Sequence, residues 1–179
     1  TLLTTTDTLD TPDTGVATTL AVTTGGTGYK SATGLATTGG NGSGLTVNIT
    51  VSTGTVNALG SITAGGSGYA ATGTGVATTS TGTGAGLTVD FTATGGVVDG
   101  VSINTAGDAN YAEGDVITIT GAGANATFTI PSGGVTGPIT GVVNAGGGTL
   151  YEANDFVTVT QSGGATGTLT IGAVQDTSI

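Results

Sequence analysis

Eleven acidic side chains stand against one cation, Lys30, and the chain has no His, Cys or Arg, which sets narrow limits on its chemistry. A catalytic triad needs a base such as His, and oxyanion or phosphate work calls on Arg or Lys. A Ser–Lys pair would have to use Lys30, whose neighbour Ser31 points to the opposite face of an extended segment. Paired carboxylates could serve a glycosidase, but no pattern marks a carboxyl kept protonated by burial. The acids could instead hold a cation. Asp115 and Asp155 follow Tyr111 and Tyr151 at one spacing, and Ca²⁺ is the ion that such oxygen ligands would take. Thr33 and Gly73 occupy the matching places after Tyr29 and Tyr69, so no ligand is common to all four segments. An Asx-type turn opening a strand accounts for both aspartates without a metal. Asp7, Asp10 and Asp13 are spaced by three and lack the alternating ligands and closing Glu of a Ca²⁺ loop. Gly82 to Gly86 invites a phosphate-loop reading, but no Lys follows it and no helix is expected there. We therefore expect no enzyme, no cofactor and no metal, with Asp115 and Asp155 the candidates if Ca²⁺ were held.

The most regular chemical feature is tyrosine. Gly25-Gly26-Thr27-Gly28-Tyr29 returns as Gly65-Gly66-Ser67-Gly68-Tyr69 and, in worn form, before Tyr111 and Tyr151, so that all four tyrosines recur about every 40 residues. Gly25, Gly28, Tyr29, Gly65, Gly68, Tyr69, Tyr111 and Tyr151 read as structural junctions between units. Glycine allows a bend and a close backbone approach, and tyrosine plugs apolar surface while its hydroxyl reaches a polar edge. The alternative is a row of rings presented to sugars, which would make the chain a carbohydrate-binding module.

Positioning these junctions falls to short strands. Leu45, Val47, Ile49 and Val51 alternate with Thr46, Asn48, Thr50 and Ser52, the period of a half-buried strand. Leu87, Val89, Phe91 and Ala93 repeat the pattern, followed by Ala126, Phe128 and Ile130 and then by Leu169 and Ile171. Glycine at the expected turns Thr53-Gly54 and Gly95-Gly96 suits tight hairpins, and Pro138 implies an edge strand or bulge. Glycine recurs too often for a helix. The expected fold is all-β: tandem ~40-residue repeats of about three short strands, forming stacked hairpin, sandwich or prism-like units. Residues 1–24 read as an N-terminal arm or incomplete repeat, 25–104 as a first repeat pair, and 105–179 as a second, divergent pair.

With 37 glycines and 4% aromatic residues the core is thin, so we expect part of the stability to come from neighbouring copies. A net charge of −10 argues against nucleic acid and against anionic lipid. No apolar run approaches the roughly 20 residues of a membrane span, and Thr1 to Thr5 show no secretory signal. Absence of Met leads us to expect processing from, or trimming out of, a longer chain. Three Asn-x-Ser/Thr triplets, beginning at Asn41, Asn48 and Asn125, are expected by chance in so Thr-rich a chain.

Tandem Gly-x-Gly-Tyr segments followed by Gly-Asp and an alternating Val/Ile/Thr strand resemble those of virion structural proteins of tailed phages, notably phages of marine cyanobacteria. The matching pieces are Gly25 to Tyr29, Gly65 to Tyr69, Tyr111 to Asp115, Gly95-Gly96-Val97 and Ile103, within residues 25 to about 175. Lys30 to Thr33 lacks the Gly-Asp element. The resemblance implies a homo-oligomeric exterior virion component, such as a capsid decoration, fibre or tail-associated subunit, whose partners are its own copies and other virion proteins. An alternative is an extracellular filament, sheath or adhesin subunit of a prokaryotic cell surface, joined by strand exchange through the N-terminal segment.

Overall fold

A computed structural model describes residues 14–121 and 123–176. Among them the chain is all-β, with no helix. Seven strands precede Gly95-Gly96: β1 (Gly15–Thr24), β2 (Ala32–Thr38), β3 (Ser43–Thr50), β4 (Thr55–Val56), β5 (Ile62–Ser67), β6 (Thr72–Ser80) and β7 (Leu87–Thr94). Seven follow: β8 (Val97–Ala106), β9 (Val116–Ile119), β10 (Ala124–Thr129), β11 (Val135–Thr136), β12 (Gly141–Thr149), β13 (Phe156–Val159) and β14 (Thr168–Asp176).

Two six-stranded sheets result. The first runs β1-β14-β13-β2-β3-β12 and the second β5-β10-β9-β6-β7-β8, while β4 and β11 form a two-stranded ribbon between them. Alternation of apolar and Thr-rich positions gives β3, β7, β9, β10, β13 and β14 one buried face. Leu45, Val47, Ile49 and Val51 point inward in the first sheet, with Leu169 and Ile171 beside them. In the second sheet Leu87, Val89, Phe91, Ala126, Phe128 and Ile130 do the same.

Both sheets curl until their outer strands approach each other. Asn144 Nδ2 on β12 donates to Ala17 O on β1, and a Cβ on Gly147 would come within 2.3 Å of Val16 Cγ1. In the second sheet a Cβ on Gly65 would come within 2.4 Å of Val97 Cγ1. Small residues at these seams let the edges meet, and a nearly closed sheet leaves little edge for unwanted pairing. Pro138 lies just before β12, the last strand in its sheet's order, where a missing N–H does no harm.

Pairing crosses the expected division of the chain. The first sheet joins β1, β2 and β3 to β12, β13 and β14, and the second is built from β5 to β10. Each sheet thus draws on both 25–104 and 105–179, and the boundary falls inside β8. The physical reason is that a hairpin such as β2–β3 buries one face and has a free edge; the β13–β14 hairpin supplies the complement, with Thr158 opposite Thr38. Residues 15–24 form β1 and pair with β14 of the same chain, Gly15 opposite Asp176 and Thr24 opposite Thr168. That part of the expected arm is a strand of the chain's own sheet; residues 1–13 lie outside the described residues. Gly95-Gly96 does turn a hairpin, with φ of 62° and 84°. Thr53-Gly54 does not: the chain there enters β4 and crosses to the second sheet, held by Gly54 and Tyr111 exchanging backbone hydrogen bonds.

Where strands before Gly95 pair with strands after Gly96, partner numbers fall as residue numbers rise. Gly15 opposes Asp176, Ser43 opposes Thr149, Thr50 opposes Gly141, Val56 opposes Val135, Ile62 opposes Phe128, and Thr94 opposes Val97. One antiparallel seam therefore runs from the Gly95-Gly96 turn to the ends of the described chain.

Candidate functional site

The four tyrosines are the residues most regularly placed by sequence, and the structure buries all of them: Tyr29 is 0% exposed, Tyr69 5%, Tyr111 1% and Tyr151 1%. None can present its face to a sugar. Each ring instead lies against a glycine in the turn of a hairpin remote in sequence. A Cβ built on Gly164 would come 2.4 Å from the Tyr29 ring, one on Gly123 2.7 Å from Tyr69, one on Gly84 2.4 Å from Tyr111, and one on Gly42 2.5 Å from Tyr151. The ring occupies the space that any side chain there would need.

The phenol oxygens of Tyr29, Tyr69 and Tyr111 meet backbone groups of the same hairpins. Tyr29 Oη donates to Val159 O at 3.0 Å and accepts from Gly167 N at 3.1 Å. Tyr69 Oη donates to Ile119 O at 3.5 Å and accepts from Ala126 N at 3.1 Å, and its ring meets Phe91 edge-on at 5.3 Å. Tyr111 Oη accepts from Leu87 N at 3.0 Å, and burial pushes its pKa above the usual phenol value of 10.0. A buried hydroxyl held by main-chain groups satisfies strand ends that would otherwise be unpaired.

Main-chain bridges complete the junctions. Tyr29 and Gly137 exchange both backbone hydrogen bonds, as do Tyr151 and Gly15, and Tyr111 and Gly54, while Tyr69 N donates to Gly96 O. Tyr29 ends the β1 segment and Gly137 precedes β12; Tyr151 ends the β12 segment and Gly15 starts β1. The two edge strands of the first sheet are thus clasped at both ends. Of the junction glycines, Gly28 and Gly68 have φ of 73° and 77°, a left-handed conformation that glycine adopts without steric cost. Gly25 and Gly65 serve close approach: a Cβ at Gly25 would meet Ile139 O at 2.7 Å.

Missing from the sequence reading were the seats of the rings, Gly42, Gly84, Gly123 and Gly164. Their signal is a glycine two residues ahead of a left-handed residue at the start of the strand: Gly44, Gly86, Asn125 and Thr166, with φ of 77°, 81°, 66° and 60°. Replacement of glycine by Asn and Thr in the later hairpins hides the pattern.

Asp115 and Asp155 sit at the openings of β9 and β13, in different sheets. Asp115 Oδ2 accepts from Ala112 N at 3.1 Å and Ser80 Oγ at 3.2 Å. Asp155 Oδ2 accepts from Glu152 N at 3.1 Å and Asn41 N at 3.0 Å. Each carboxylate closes its own turn and pins the neighbouring hairpin, an Asx-type role. No group of three or more metal-type side chains gathers among the described residues. Other acids are similarly occupied. Thr94 and Thr92 hydroxyls donate to Asp99 and hold its carboxyl below the ordinary value, and Ala85 N and Asn110 N do the same for Asp108. Lys30 is tied through its backbone to Gln161, whose amide bonds both Lys30 N and Lys30 O.

What this arrangement can do is hold strands together: its hydroxyls and carboxylates bond to backbone and hydroxyl groups of neighbouring strands and turns. The chain matches no protein-family model, no curated protein and no solved structure.

Proposed function

We propose that the chain is a non-enzymatic structural protein that works by assembly, as an exterior virion component of a phage: a capsid decoration, fibre or tail-associated subunit. The observation that carries this reading is the placement of the tyrosine segments, whose rings and glycines clasp sheet edges instead of lining a cleft. A chain whose most regular residues are devoted to clasping strands is suited to durability outside a cell. The Gly-x-Gly-Tyr resemblance supplies the virion assignment. In this reading the chain consists of tandem ~40-residue units of about three short strands, stacked as hairpins, each unit handing over at a tyrosine.

Its partners in this reading are its own copies and other virion proteins. Exposed apolar side chains support self-association: Leu150 is 61% exposed and Phe156 60%, on either side of the buried Tyr151. Immunogold electron microscopy of particles from the native source tests the proposal. Label on icosahedral heads or on tails is the expected outcome, and label confined to helical arrays of indefinite length on cells would replace it with the filament reading.

A further inference from the structure

We infer that the halves of this chain on either side of Gly95-Gly96 are exchangeable, so that the protein recognises a second copy of itself by trading halves along its antiparallel seam. The inference rests on strand order and is independent of the virion reading.

The strand order is unchanged by swapping the halves. If each of β1 to β7 is replaced by the strand seven places later, and each of β8 to β14 by the strand seven places earlier, the first sheet's order becomes the second's, reversed. The β4–β11 ribbon maps onto itself. A molecule with this map is organised as a symmetric pair whose members are joined end to end. Neither half has a complete sheet: each six-stranded sheet takes three strands from before Gly95 and three from after Gly96.

Only the two-residue turn joins the halves covalently. If it opens, residues before Gly95 of one copy can pair with residues after Gly96 of another. Pairs such as Ser43 with Thr149 and Ile62 with Phe128 then re-form between copies. The reciprocal product is a closed dimer with two complete bodies, in which β7 runs on into β8 as one extended strand. Its cost is the lost freedom of joining two molecules, so concentration and hinge geometry decide the balance. Both hinge residues have positive φ, a conformation that β-branched residues adopt only under strain, whereas an extended strand accepts them readily.

The test uses the full chain, which has no cysteine. Ser43→Cys with Thr149→Cys places one thiol on each half at an exposed pair of the seam. Oxidation of a closed monomer gives a disulfide within one copy, and oxidation of exchanged copies links two. After refolding, the double variant should yield covalent dimers on a denaturing, non-reducing gel in a fraction that rises with protein concentration. Adding Gly95→Val and Gly96→Val should strengthen dimerisation about a hundredfold or more, since strain at each turn is relieved in the exchanged form. A six-residue Gly/Ser insertion between them should restore the monomer. If the double-cysteine chain forms only intramolecular disulfides at every refolding concentration, the inference is wrong, whatever the hinge variants do.

Discussion

At the scale of single residues, the tyrosine and the glycine beneath it are one device. Sequence spacing made the tyrosines visible because an aromatic is rare here, with 7 Tyr and Phe together in 179 residues. The seats were not visible, because one glycine among 37 carries no mark of its own. Gly84 separates the steric role from the conformational one, since it lies under Tyr111 without a positive φ. Gly84→Ala should destabilise the chain by about 1–3 kcal/mol, the cost of overfilling a packed site. In a Tyr111→Leu background the same change should cost markedly less, because the added methyl then meets a smaller, adaptable side chain. Urea unfolding of the four variants measures the coupling, and additive costs would show that ring and glycine act separately.

Among the elements, strands and their inward faces were legible because period-2 alternation is local: Leu45 to Val51 and Leu87 to Phe91 declare their buried side within a few residues. The β7–β8 hairpin shows what local pattern omits. Thr92 and Thr94 look like ordinary outward threonines, yet both hydroxyls turn to Asp99 across the hairpin. These bonds favour the charged carboxylate, so the folded chain binds a proton at Asp99 less readily than the unfolded chain does. The resulting stabilisation is present above the ordinary Asp value of 3.8 and is lost as pH falls through the lower folded value. Asp108, lowered by Ala85 N and Asn110 N, acts in the same direction. Thermal midpoints should therefore drop as pH falls below about 4, and Asp99→Asn should flatten that drop. An equal acid slope in the variant would remove Asp99 from the account.

For the whole molecule, the sequence revealed equivalent segments but not which of them pair. Hairpins of like composition offer like edges, so nothing local tells β2–β3 to join β13–β14 instead of β6–β7; the antiparallel return at Gly95-Gly96 decides it by bringing the chain back along itself. This nesting gives β1 a role that its position near the start conceals. It covers the edge of β14, places Val22 opposite Leu169 and Leu20 opposite Ile171, and supplies Gly15 as the backbone partner of Tyr151. Removing residues 1–24 takes all of this away, whereas removing residues 1–13 keeps every strand described above. A strand that covers core residues contributes several kcal/mol at about 25 cal/mol per Å² of buried apolar surface, and about 1 kcal/mol moves the midpoint of a chain this size by roughly 2–4 °C. The longer deletion should therefore lower the thermal midpoint by about 10 °C or more relative to the shorter one. Loss of assembly with an unchanged midpoint would instead make β1 a detachable arm, contrary to its place in the sheet. Because β1 and β12 are clasped at both ends, the loss should spread: near-ultraviolet circular dichroism from Tyr151 should fade along with the β1 pairing, reporting the opening of the first sheet at its seam.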